Sequence, residues 1–182
     1  MKRSALIVGA GSGLSSSLAL QCVNLGMDVA LAARNIEKLE DLGIQTGASL
    51  HKCDASKIDD VNSLFKDLDE KLGIPELVVY NPSARLRGAI ETLDAEKTKE
   101  ALDVTCFGAF LVAQQAAKRM LERGSGSIFF TGASAGVKGF ANSSVFAMGK
   151  FGLRGLAQAL ARELHPKNIH IGHFVIDGGI KS

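Results

Sequence analysis

Ala5-Leu6-Ile7-Val8-Gly9-Ala10-Gly11-Ser12-Gly13-Leu14-Ser15 is the stretch that decides the fold. Four apolar residues run into three glycines within five positions, and a helix-forming segment follows. Ala5–Val8 is the length of a strand, and its uninterrupted apolar character is that of a strand buried on both faces. The glycines permit a tight turn and let backbone N–H groups approach an anion. The positive end of the next helix then reinforces that attraction. A strand, a glycine-rich turn and a helix in this order open a βαβ unit with a phosphate-binding turn. The plainer alternative is a structural turn of flexible Gly and Ser.

Outward from this turn the same alternation repeats. Leu14–Leu25 reads as a helix ending at Gly26, and Val29–Ala33 as a second strand. Ile36–Leu42 is helical and stops at Gly43. Ala48–Cys53 is a third strand, Ile58–Leu72 a helix closed by Gly73, and Leu77–Tyr80 a fourth strand. Ala95–Glu122 reads as one long helix before Gly124-Ser125-Gly126, with Ile128–Thr131 as the fifth strand. Ser144–Leu164 is a second long helix before His165-Pro166, and Ile169–Ile176 is the sixth strand. This alternation predicts an α/β, Rossmann-type fold: a doubly wound parallel sheet with helices on both faces, forming one dinucleotide-binding domain over residues 1–182. The loop Pro82–Leu93 is long and carries Arg85, Arg87 and Gly88. It is expected to move or to rim the site.

Composition narrows the function. In 182 residues, 46% are hydrophobic and 22% charged, so the chain can bury a core and is not disordered. Lys and Arg total 21 and Asp and Glu 19, a net charge of +2 that gives no reason to expect nucleic acid or an anionic membrane. Cys22, Cys53 and Cys106 are far apart and show no paired spacing, and the four His do not join them at ligand spacing. Neither a disulfide framework nor a metal site is expected. The apolar run after the first residues is too short for a secretory leader, and no stretch reaches membrane-spanning length. A cytoplasmic location is the expectation.

The end of the second strand selects the cofactor. An NAD site places an acid there for the ribose 2′-hydroxyl. Here the strand ends Leu31-Ala32-Ala33-Arg34-Asn35, and Asp28 sits at its opposite end. The planar fork of Arg34 suits a 2′-phosphate, so NADP is favoured over NAD. On the plainer reading Arg34 is a solvated residue at a helix start.

With these residues in place, the chain resembles the short-chain dehydrogenase/reductase family over nearly its whole length. Gly9-x-x-x-Gly13-x-Ser15 resembles the family's G-x-x-x-G-x-G turn, with Ser15 in place of the third glycine. Cys53-Asp54-Ala55 is similar to its D-V segment, and Tyr80-Asn81-Pro82-Ser83 stands where the family has N-N-A-G, retaining only Asn81. Val104-Thr105-Cys106-Phe107-Gly108 resembles V-N-x-x-G, and Phe146-Ala147-Met148-Gly149-Lys150 stands where the family has Y-x-x-S-K. Asp177-Gly178-Gly179-Ile180-Lys181-Ser182 resembles P-G-x-I-x-T. The resemblance implies cofactor contacts from Gly9, Ser12, Gly13, Leu14, Arg34, Asp54, Ala55, Asn81, Lys150, Ile180 and Ser182. It also implies a homodimer or homotetramer paired through the two long helices. Their small residues Gly108, Ala109, Ala113, Ala116, Gly152, Gly155 and Ala159 point the same way.

The departures fall on the catalytic tetrad of Asn, Ser, Tyr and Lys. Thr105 stands at the Asn position, Ala133 at the Ser position and Phe146 at the Tyr position, so Lys150 alone remains. Ser134, one residue on, is a substitute under a shifted alignment. Phe146 has no proton to give to a nascent alkoxide, and general acid catalysis is worth about 10²–10⁴ in rate. The expected function is an NADP-dependent oxidoreductase acting on a small carbonyl or alcohol with an atypical centre. The alternative is a non-catalytic NADP(H)-binding sensor or assembly subunit. The family's usual substrate-covering segment beyond the sixth strand is expected to be lacking.

Overall fold

A computed structural model of the chain describes residues 3–178. Six strands form one parallel sheet: β1 (Ser4–Val8), β2 (Asp28–Ala33), β3 (Ser49–Lys52), β4 (Leu77–Tyr80), β5 (Gly126–Ala133) and β6 (Ile169–Ile176). Their order across the sheet is β3-β2-β1-β4-β5-β6, with every neighbouring pair parallel. The order reverses between β1 and β4. The carboxyl ends of these two strands diverge there, which opens the crevice of a Rossmann-type fold.

The helices cover the two faces unequally. α1 (Leu14–Asn24) and α2 (Glu40–Thr46) pack on one face around Ala5, Ile7, Leu31 and Val79. α3 (Ile58–Lys71), α5 (Gly108–Arg123) and α6 (Ser144–Leu164) pack on the other around Leu6, Val8, Val78, Phe130 and Leu153. Alternate residues of β1 thus serve opposite cores, which is why the strand is apolar throughout. On the thinner face Phe129, Phe174 and Ile176 line an apolar hollow of about 370 Å³ beside Leu14 and Leu18. Among the described residues no helix is long and apolar enough to cross a membrane.

Three expectations change. The second helix does not stop at Gly43. It runs to Thr46 and ends at Gly47, which takes the left-handed conformation at φ 66°. Gly43 is instead a contact glycine, since a Cβ there would stand 3.2 Å from the Leu50 side chain. The fifth strand is longer than its apolar run and reaches Ala133, because β6 pairs with it along its whole length. The expected long helix over 95–122 is interrupted. α4 (Ala95–Leu102) passes into a π turn over Asp103–Phe107 before α5 begins at Gly108.

The Tyr80 side chain explains that interruption. Its buried hydroxyl donates to the Val104 carbonyl at 2.5 Å and occupies an acceptor that a regular helix would use internally. Gly108 makes room for this approach, because a Cβ there would collide with the Tyr80 hydroxyl and lie 2.6 Å from the Ala55 carbonyl. Within α5, Ala109, Ala113 and Ala116 are also buried against the sheet. The expected small-residue stripe is therefore largely used inside the chain, and only Gly152, Gly155 and Ala159 lie exposed on α6.

Candidate functional site

At the crevice, Gly9 turns the chain with φ 76°, and a Cβ on it would come within 2.6 Å of the Pro82 backbone. Its N–H and that of Ala10 donate to the Ala32 carbonyl. Ser15, at the place of the family's third glycine, is buried and ties the turn from beneath. Its hydroxyl donates to the Gly9 carbonyl at 3.2 Å, and the Asn81 amide donates to both that carbonyl and the Ser15 oxygen. Asn81 thus acts by fixing the turn. Among the described residues no side chain caps α1, and Cβ atoms on Gly11 and Gly13 would meet nothing. The space beside the turn is therefore open, as an anion requires, while the Ser16 and Ser17 N–H groups donate to the Gly13 carbonyl.

A cleft of about 520 Å³ extends from this turn. Gly9, Ser12, Arg34, Asp54, Ala55 and Asn81 all line it, which brings six of the expected residues together. Gly13 and Leu14 stand at the helix start behind it. Ile180 and Ser182 lie outside the described residues. Asp54 is held below its usual range. Burial pushes it up, but hydrogen bonds from the Ser56 hydroxyl and N–H and the charges of Arg34 and Lys57 outweigh that. Lys38 also lines the cleft, beside Arg34, and was not legible as a site residue because it reads as a solvated helix lysine. The larger hollow, about 610 Å³, lies at the amino end of the sheet among Arg3, Glu76 and Arg123. Its charged groups are already matched, Arg3 to Glu76 and Arg123 to the carbonyls of Ile74 and Ser125. The glycine turn and six of the expected cofactor-contact residues line the smaller cleft instead.

Beyond the cleft lie the four tetrad positions. Phe146 and Lys150 are one helical turn apart on the same face of α6. Lys150 is 3% exposed, and its ammonium donates to the Thr131 carbonyl at 2.7 Å and stands 5.8 Å from the Phe146 ring centre. Burial, and secondarily the charge of Arg85, lower its pKa to about 8. Ala133, Ala135 and Phe146 pack together as an apolar cluster. Ser134 opens the short turn after β5, where its carbonyl accepts from Val137 and Lys138. Thr105, in the π turn, is buried against α6, where a Cβ on Gly149 would lie 2.9 Å from the Thr105 methyl. Its hydroxyl accepts from the Ala84 N–H at 2.9 Å. The next residue, Arg85, sets its guanidinium 4.3 Å from the Phe146 ring centre. The loop expected at the rim is therefore there, and is fastened. His173 adds a buried Nε2 that has no hydrogen-bond partner among the described residues, and burial, then the charges of Arg154 and Lys150, hold its pKa low.

The short chain dehydrogenase family model matches residues 3–181. A 3-dehydrosphinganine reductase of Danio rerio is 29% identical over 176 residues, which cover 91% of this chain and 53% of that protein. A human 3-oxoacyl-[acyl-carrier-protein] reductase is 27% identical over 173 residues, covering 94% of this chain and 73% of its own. The crystal structure of a short-chain dehydrogenase from Rhodopseudomonas palustris superposes with a TM-score of 0.91 at 32% identity. The match covers 97% of this chain and 85% of that one. The chain spans about half the length of the first of these relatives.

Proposed function

The chain belongs to the short-chain dehydrogenase family, and from that premise we propose that it is an NADP-dependent oxidoreductase that reduces a small carbonyl compound, with Lys150 in place of the missing phenol as its proton source. The observation that carries this reading is the pair of cations Arg34 and Lys38 beside the glycine turn, with no acid at the end of β2. The residues fit a phosphorylated dinucleotide. The uncapped α1 terminus suits a pyrophosphate, and the two cations suit a 2′-phosphate. When bound, the reduced cofactor supplies a hydride to the carbonyl carbon. Lys150 supplies the matching proton to the carbonyl oxygen and is left as a neutral amine that water reprotonates. A group with a pKa of about 8 is well matched to that exchange near neutral pH. Apolar walls from Ala133, Ala135 and Phe146 exclude water.

That same apolar cluster supports a second reading, a chain that binds NADP(H) without turnover. Nicotinamide fluorescence titration tests the cofactor half of the proposal. NADPH should bind more tightly than NADH, and Arg34→Ala should weaken NADPH chiefly, by about 1.5–3 kcal/mol. Equal affinities for the two cofactors in the parent protein would overturn it. NADPH oxidation with small carbonyls then separates the two readings.

A further inference from the structure

Two of the positions at which this chain departs from the family's tetrad, Thr105 and Phe146, act on one side chain. The Thr105 hydroxyl holds the Ala84 N–H and so fixes the backbone immediately before Arg85. On the far side of the same loop, the Gly88 N–H donates to the Asn142 carbonyl at 3.2 Å, tying it to the segment that leads into α6. Between these ties the Arg85 guanidinium rests on the Phe146 ring. Among the described residues the Arg85 guanidinium makes no hydrogen bond, so its N–H groups remain available to a ligand.

The charge around it is unbalanced. Among the described residues no carboxylate pairs with Arg85 or with Lys150, whose ammonium has only the Thr131 carbonyl. The two cations stand 4.3 and 5.8 Å from the same ring centre, within about 10 Å of each other. The charge of Arg85 adds to the cost that burial already sets on the Lys150 ammonium. An anion that reaches both relieves that cost, and a planar carboxylate matches the guanidinium fork in shape.

We propose that Arg85 binds the carboxylate of the carbonyl substrate, which makes this a site for short oxo acids. The ring of Phe146 is then the seat of the anchor, and Thr105 positions it through Ala84. The inference rests on the reductase reading for its carbonyl. Its arginine subsite stands on the contacts above.

Calorimetric titration of pyruvate and of neutral butane-2,3-dione tests it, on the protein saturated with NADP⁺, which has no hydride to give. The parent should bind pyruvate about tenfold to a hundredfold more tightly than the dione. Arg85→Gln should remove that preference while NADP⁺ affinity stays within about twofold. Arg85→Lys, which keeps the charge and loses the fork, should fall between. Equal binding of the two ligands by the parent, or unchanged pyruvate binding by Arg85→Gln, would overturn the proposal. So would inorganic phosphate displacing pyruvate at equal concentration, since that marks a general oxyanion site. If NADP⁺ does not bind, the reductase reading fails on its own. The same titrations on the cofactor-free protein then decide the arginine subsite, with pyruvate binding that Arg85→Gln abolishes supporting it and no binding overturning it.

Discussion

Lys150 brings an ammonium into a place that shields it almost wholly from water, and its pH behaviour follows from that. Its pKa is lowered from 10.5 to about 8 by burial and by Arg85. Reduction needs the protonated amine, so kcat/KM in that direction should be full below about pH 8 and fall with loss of one proton above it. A rate that stays flat to about pH 10 would exclude Lys150 as the proton source. The stability effect has the opposite sense. Between about pH 8 and 10.5 the unfolded chain holds the proton that the folded chain has lost, so stability rises with pH across that window. Lys150→Met, measured by urea unfolding, should therefore compare better with the parent at about pH 7 than at about pH 10. Pairing Phe146→Tyr with Ala133→Ser restores a phenol one turn before Lys150 and a hydroxyl on β5. That variant should gain about 10²–10⁴ in NADPH-dependent reduction, and no gain would mean that the missing phenol is not what limits turnover. Arg34 was legible because its spacing from the glycine turn places it at the end of the second strand, and Lys150 and Asp54 because their segments resemble the family's motifs. Arg85 was legible only as part of a loop, because its seat on Phe146 is a contact between residues 61 positions apart in the chain.

At the scale of elements, the π turn over Asp103–Phe107 is what delivers Thr105 to the loop that carries Arg85. Nothing in the helical periodicity of 95–122 announces it. An extra residue in a helical turn leaves the apolar pattern almost intact, and its cause, the Tyr80 hydroxyl, lies in another element. The strands were legible because burial on both faces leaves continuous apolar runs. Their ends were less so where small residues outside the apolar run still pair, as at Gly126 and Ala133 in β5. Gly108 tests whether the turn depends on close approach. Gly108→Ala sets a methyl against the Tyr80 hydroxyl and the Ala55 carbonyl, both backed by the packed core. Overpacking of this kind costs about 1–3 kcal/mol. Urea unfolding should show the midpoint falling with the slope unchanged, and Gly108→Ala/Tyr80→Phe should recover part of the loss by removing the colliding oxygen. A variant as stable as the parent would mean that the backbone shifts freely here, and that the turn does not fix Thr105.

At the scale of the whole molecule, the end of the π turn and the outer faces of α5 and α6 carry apolar surface that the described residues do not cover. Phe107 and Phe110 stack at 6.1 Å between ring centres and remain 40% and 42% exposed. Met148 and Phe151 on α6 are also exposed, and together with Leu156 the first three line a hollow of about 400 Å³. Gly155 and Ala159 extend this face without bulk. The buried alanines of α5 do not contribute to it, so the argument for assembly moves from small residues in general to this patch. We propose that the chain forms a homodimer or homotetramer by pairing this face with its own copy about a twofold axis. One patch then meets itself, and residues on α5 and α6 of each copy reciprocate. Contiguous exposed aromatic surface rimmed by polar groups is what such contacts bury. Light scattering at micromolar concentration should give at least twice the monomer mass. Phe110→Glu should reduce it to the monomer while far-ultraviolet circular dichroism stays the same, because the side chain points away from both cores. A monomeric parent would overturn the proposal. An oligomer that Phe110→Glu leaves intact would overturn the choice of this face.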